Sequence, residues 1–389
     1  MSWSDRLSPT VKSIPPSGIR RFFDIVAEMK GVVSLGVGEP DFITPWHIRE
    51  SCVYGLQRGY TAYTSNLGLL ELREEIARLI HNRYNVMYNP RNEVLVTVGV
   101  SEALDLAMRA IVSSGDEVLV PEPCYVSYKA CVTLSGGTAV PVPTSVENDF
   151  RLQVADLEAR VTPRTKAILI GYPNNPTGAI MTREELLKIA EFATKHDLIV
   201  ISDEIYGDLT YEGVHTCFSS LPDMRDRTIL LNGFSKAYAM TGWRIGYALA
   251  NPEFIAAMNK IHQYTILCAP ITAQVSAIEA LKNGETAMNK MVDEYNRRRR
   301  LMLEGLRSIG LDCFEPKGAF YIFPSIEKTG LTALQFAEEL LKEEKVALVP
   351  GDAFGDCGQG FVRCSYAASF SNLSTALERI ERFVSRRLG

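Results

Sequence analysis

The chain lacks most of the short signatures that would assign it quickly. No two of its eight cysteines are spaced as CxxC, and no histidine–cysteine grouping has the spacing of a zinc site. That leaves no metal site to expect and predicts reduced thiols, as in the cytoplasm. Neither GxGxxG nor GxxxxGK occurs, so neither a dinucleotide nor a nucleoside triphosphate is indicated. Positive charge is not in excess. The net charge is −5, which argues against a basic surface for nucleic acid or an anionic membrane. No apolar run reaches the ~18 residues of a membrane span. The first residues, Met1 to Arg6, lack the charged-then-apolar order of a signal peptide. Without an export signal, the sequon Asn372-Leu373-Ser374 has no consequence. No internal repeat or low-complexity tract is present.

What is present is an ordinary globular composition over 389 residues, 46% hydrophobic and 22% charged, long enough for two domains. Residues 1–45 are rich in Pro, Ser and Gly and read as an extended arm with one short helix near Arg20–Lys30. Leu69–Tyr84 has helical apolar spacing at Leu72, Ile76, Leu79 and Ile80. From about 94 to 250, β-rich runs alternate with helical stretches. The runs are Val94–Val98, Glu117–Val120, Ala139–Val142, Ala167–Ile170, Leu198–Ile201, Thr228–Leu231 and Ile245–Leu249. Helices Glu102–Val112 and Arg183–His196 lie between them. Runs that are apolar at every position predict strands buried on both faces, hence an α/β fold around a mostly parallel seven-stranded sheet. A long helical segment, about Pro252–Leu306, is broken near Cys268–Pro270 and Asn283–Gly284. Its run Arg297-Arg298-Arg299-Arg300 reads as a solvated helix face with one or two contacts to the other domain. An α+β pattern follows, with strand-like Gly318–Pro324, Val346–Val349 and Phe361–Ser365 and helical Thr332–Glu344 and Asn372–Leu388. The division expected is a large domain over 46–285, and a small domain built from 286–389 with the arm 1–45.

Polar residues cluster just after the predicted strands, where α/β proteins hold ligands. Lys236 follows the run Thr228–Leu231 and stands eight residues before Arg244. A strand-end lysine can form a Schiff base with a carbonyl, and arginine offers a cationic fork suited to phosphate. Together they ask for a ligand carrying an aldehyde and a phosphate, which describes pyridoxal 5′-phosphate (PLP). Asp203 ends a buried run, where a carboxylate needs a cation such as a protonated pyridine nitrogen. Tyr206 can donate to a phenolate oxygen. Asp203 is also a plausible N-cap, as is Ser101 in Gly99-Val100-Ser101-Glu102. The turn Pro173–Gly178 contains Asn174 and Asn175, which serve either as turn formers or as ligand contacts. Arg363, flanked by apolar residues, needs an acidic partner, and a substrate carboxylate fits.

These motifs occur in the order found in class I aminotransferases of PLP fold type I, and the chain resembles their bacterial and archaeal subgroup gamma. The resemblance runs from Gly36-Val37-Gly38-Glu39-Pro40-Asp41-Phe42 to the strand of Arg363. It implies Lys236 as the Schiff-base lysine and proton shuttle, with Asp203 on the pyridine nitrogen and Tyr206 and Asn175 on the ring oxygen. It implies Arg244, Ser235, Ser101 and the backbone near Val100 on the phosphate, and Tyr125 stacked on the ring. Tyr63 would reach the phosphate of a neighbouring subunit, so a homodimer with shared sites is implied. Arg363 and the backbone of Gly38 would grip the substrate carboxylate. The implied reaction is transamination between an L-amino acid, aromatic or dicarboxylic, and a 2-oxo acid such as 2-oxoglutarate, ping-pong through pyridoxamine phosphate. Some aspartate-specific relatives carry Trp where this chain has Tyr125, and some dicarboxylate-specific ones carry Lys where it has Ser101. Arg20 in the arm is a candidate for a side-chain carboxylate, or simply an arm residue facing a partner or solvent. Other chemistry on the same fold, C–S β-elimination or aminocyclopropane-carboxylate synthesis, shares the lysine and phosphate cup. A non-catalytic sensing module would carry a DNA-binding segment ahead of the motifs, which here begin by Gly36.

Overall fold

The computed structural model describes residues 3–15 and 29–388. Arg20 and the short helix expected near it lie outside the described residues. The arm also contains a 3₁₀ turn at Trp3–Arg6 and a short helix at Pro9–Ser13.

In chain order the strands are β1 (Val33–Ser34), β2 (Val94–Thr97), β3 (Glu117–Glu122), β4 (Thr138–Pro143), β5 (Thr165–Gly171) and β6 (Ile199–Asp203). They continue with β7 (Thr228–Gly233), β8 (Gly246–Leu249), β9 (Tyr321–Ile322), β10 (Val346–Ala347), β11 (Val349–Pro350) and β12 (Val362–Ser365). Seven form one sheet in the order β2-β8-β7-β6-β5-β3-β4, with β8 antiparallel to both neighbours and the rest parallel. The expected α/β architecture is therefore present.

The alternation of side chains along these strands explains why the runs are apolar throughout. Leu95, Val118, Val120, Leu169, Ile201 and Ile229 pack on one face, beneath helices Gly99–Ile111 and Pro252–Thr265. Leu119, Ile168, Ile170 and Val200 fill the other, with helix Arg183–Lys195. That helix starts with a capping box between Thr182 and Glu185. The prolines of β4, Pro141 and Pro143, are tolerated because β4 is an edge strand.

Two smaller sheets complete the fold. β1 pairs in parallel with β10, and β11-β12-β9 form an antiparallel set that carries Arg363. The apolar run Val346–Val349, read as one strand, is divided between these two sheets. The strand read at Gly318–Pro324 shortens to β9.

The arginine run is solvated at Arg297 and Arg300, as expected, but not at its middle two residues. Arg298 and Arg299 are buried, not solvated. Arg298 pairs with Asp41 at 2.7 Å and Glu294 at 3.1 Å, and lies over Phe42. Arg299 pairs with Glu212 at 2.7 Å and Glu315 at 3.3 Å. Consecutive residues of a helix point about 100° apart, so a run of four cannot share one face. Helix Glu285–Ser308 turns two of them inward, where carboxylates from distant segments meet them.

Candidate active site

The ends of the strands open into a cavity of about 390 Å³. Its walls include Gly38, Val100, Ser101, Tyr125, Asn175, Asp203, Tyr206, Ser235, Lys236, Arg244 and Arg363. The sheet brings these together because β2, β5, β6 and β7 end at one edge, and β12 adds Arg363 from the other side. Tyr63 is not among them; it is 83% exposed on the surface of its own chain.

Lys236 lies just after β7, half-buried, with Nζ donating to the Gly38 carbonyl at 2.6 Å. Burial, and then the nearby Arg363 and Arg244 cations, lower its amine to about 8, with Glu39 and Asp203 opposing. Asp203 ends β6. Its Oδ2 accepts from the Tyr128 hydroxyl at 2.8 Å, and its Oδ1 from the Ile205 amide at 3.2 Å. No helix follows, so Asp203 caps none; it closes a turn. Burial pushes its carboxyl up to about 6 despite those two donors. Among the described residues it forms no ion pair. A buried carboxylate so placed suits a cationic nitrogen in the cavity.

Arg363 is 2% exposed. Its guanidinium donates to Asn175 Oδ1 at 2.9 Å and to the Gly36 carbonyl at 2.6 Å, between the rings of Tyr321 and Phe354. Its Nε has no partner, and no described carboxylate neutralises it. A buried cation without a counter-ion is costly, so this corner suits an anion such as a carboxylate. Of the two turn asparagines, Asn174 is the turn former. Its Oδ1 accepts from the amide and hydroxyl of Thr177 at 3.2 and 2.9 Å. Asn175 instead faces the cavity.

At the other end, helix Gly99–Ile111 starts three residues earlier than its apolar pattern suggested. Its N-cap is Val98, with no side-chain cap, so Ser101 is not a cap but a first-turn residue. Gly99 has φ +75°, and a Cβ there would lie 2.7 Å from the Arg244 guanidinium. Glycine thus lets a helix N-terminus and an arginine share one small space, and Ser101 and Ser235 add hydroxyls. First-turn amides, hydroxyls and a guanidinium are the donor set of a phosphate site.

Two tyrosines of the site had no distinctive sequence signal. Tyr128 supports Asp203. Tyr321 bonds the Tyr206 hydroxyl at 2.8 Å and stacks on Arg363, and its own hydroxyl would collide with any side chain at position 38. Burial raises Tyr128 and Tyr206 well above the ordinary tyrosine range, so both are neutral donors.

The profile of the aminotransferase class I and II family matches residues 30–380. The chain belongs to the class I and II aminotransferases. It is 46% identical to an aspartate aminotransferase of Pyrococcus abyssi over 100% of this chain and 99% of that protein. It is 44% identical to aromatic-amino-acid aminotransferase 2 of Thermococcus litoralis, again over 100% and 99%. Among solved structures, the aromatic aminotransferase from Pyrococcus horikoshii OT3 superposes with a TM-score of 0.91 at 45% identity, covering 95% of this chain and 99% of that one. This aminotransferase is a PLP-dependent enzyme of fold type I that catalyses transamination. The cavity fits the cofactor, since it sets a phosphate donor set, an amine and an unpaired buried carboxylate in one space. All eight cysteines of the aminotransferase are free thiols. Among its described residues, no helix is long and apolar enough to cross a membrane.

Proposed function

We propose that this aminotransferase takes its amino group from an aromatic L-amino acid and passes it to a 2-oxo acid. The observation that carries the reading is the charge of the cavity wall. Lys236, Arg244 and Arg363 are its cations, and each has a use at the cofactor or the α-carboxylate. No further cation is present among the described lining residues, and the remaining charges there are the carboxylates of Asp203 and Glu39. Tyr125, Leu104, Ile205 and Val37 offer apolar surface. A second carboxylate finds no partner in this wall, whereas an aromatic ring does.

In this reading residues 46–285 form the cofactor-holding domain, and the arm with 286–389 forms the lobe that brings Arg363. Lys236 is the covalent anchor, Asp203 holds the pyridine nitrogen, and Asn175 and Tyr206 meet the ring oxygen. Tyr125 stacks on the ring, and Ser101, Ser235, Arg244 and the amide near Val100 hold the phosphate. When bound, PLP supplies an electron sink that weakens the substrate's Cα–H bond. The protein's own part is positional and acid–base. Arg363, aided by the backbone at Gly38, clamps the α-carboxylate and so fixes which bond at Cα faces Lys236. Nζ of Lys236, with its pKa lowered to about 8, is available near neutral pH to take the Cα proton and return it. Asp203, whose buried carboxylate is favoured in its ionised form by a cation beside it, keeps that cationic partner protonated.

A homodimer completes the site. Tyr54, Leu56, Tyr60, Tyr63 and Tyr264 are exposed apolar or aromatic residues. The loop of Tyr63 is tied to the chain near Tyr264 by the bond from Asn66 to the Leu267 carbonyl at 2.7 Å. Such a face suits a second copy, against which Tyr63 would reach the neighbouring phosphate.

The likeness to an aspartate aminotransferase favours a second reading, dicarboxylic donors met by Arg20. Turnover of L-phenylalanine, L-tyrosine, L-aspartate and L-glutamate with a common 2-oxo acid separates the two. Aromatic donors are expected to exceed the acidic ones in kcat/KM by about tenfold or more, the scale of pocket discrimination. The reverse order would overturn the aromatic reading. A selective loss on acidic donors in Arg20→Ala would then locate the missing cation.

A further inference from the structure

We infer that Glu102 and His262 are positioning residues that hold the phosphate-binding turn in its anion-receiving form. The inference rests on the phosphate reading of Val100, Ser101 and Arg244.

Glu102 lies in the first turn of helix Gly99–Ile111 and does not line the cavity. Its Oε2 reaches back and accepts from the Val98 amide. The bond resembles the backward bond of a capping box but comes from the fourth helical residue rather than the third, and the N-cap, a valine, has no side-chain oxygen to return it. The consequence is selective. The Val98 amide is consumed, while those of Gly99, Val100 and Ser101 have no acceptor within the helix and are left for a ligand.

A carboxylate beside an anion site is unfavourable unless it is itself neutralised or bonded. His262 supplies that bond. It is fully buried in helix Pro252–Thr265, and its Nδ1 lies 2.7 Å from Glu102 Oε1. Its Nε2 has no partner among the described residues. The ring therefore makes one polar side-chain contact, and that contact is Glu102. The pair transmits the rigidity of one packed helix to the turn that starts another.

The test titrates the apoenzyme with PLP, with pyridoxal and with inorganic phosphate, following cofactor absorbance or competition. Glu102→Ala is expected to weaken PLP and inorganic phosphate about tenfold, the scale of one lost hydrogen bond to a charged group, and to leave pyridoxal unchanged. Glu102→Gln, whose amide oxygen still accepts from Val98, is expected to stay within about threefold of the wild type. His262→Phe keeps the ring volume and removes the nitrogen, so it is expected to match Glu102→Ala. Combined, the two substitutions should cost no more than either alone. His262→Phe carries the test should Glu102→Ala fail to fold. Equal losses for PLP and pyridoxal, or unaltered PLP affinity in both variants, would overturn the inference. Arg244→Gln keeps the two ideas apart. If it leaves the preference for PLP over pyridoxal intact, the phosphate reading fails rather than the positioning one.

Discussion

Lys236 is an amine among cations in a partly dry cavity. Folding lowers its pKa from the ordinary 10.5 to about 8, so the protonated form is the one the folded state disfavours. Below about pH 8 the protonated, inert form predominates, leaving a minor free-base fraction near neutral pH that becomes the majority above it. In the apoenzyme, acylation of Lys236 followed residue by residue is expected to rise with a midpoint near 8, while exposed lysines rise near 10. A midpoint for Lys236 at the ordinary value would remove the electrostatic argument for its role. Lys236, Asp203 and Arg363 were legible in the sequence because a charge beside a buried strand demands an explanation. Tyr128 and Tyr321 were not. A tyrosine in an apolar element is what packing alone would place there, and only the three-dimensional contacts with Asp203, Tyr206 and Arg363 show the hydroxyls at work.

At the scale of the element, the turn after β5 shows how two adjacent identical residues divide. Asn174 is buried and satisfies Thr177, whereas Asn175 faces the cavity and Arg363. Asn174→Ala strands a buried hydroxyl and amide of Thr177, so it is expected to lower stability by about 1–3 kcal/mol, read from denaturant unfolding. Asn175→Ala is expected to unfold almost as the wild type does, yet to raise KM and lower kcat, since Arg363 loses a partner that aims it. Equal stability losses in the two variants would contradict the division. Turn composition predicts a turn; it does not say which amide points where. The same limit applies to Arg297–Arg300, where the run is visible but the helical phase that buries Arg298 and Arg299 depends on Asp41, Glu212 and Glu315 arriving from far along the chain.

For the whole molecule, the open question is whether one chain suffices. The strand pattern was legible because every strand of the central sheet except the edge strand β4 is largely buried, and the two-sheet arrangement of the smaller lobe was not, because its strands are two to four residues long. Tyr63 lies on the outer surface, where its ring serves nothing in its own chain's cavity. If it serves the neighbour, Lys236→Ala and Tyr63→Phe protomers are complementary. In a mixed dimer one site then has lost both groups and the other retains both. Random pairing leaves about a quarter of the sites with both groups intact, so activity is expected to rise above the average of the two separate variants. If Tyr63 acted within its own chain, every site in the mixture would lack one group and mixing would restore nothing. Activity measured after dissociation and reassociation therefore separates a shared site from a self-contained one, and no rescue would also remove the main reason for placing a second copy against that apolar face.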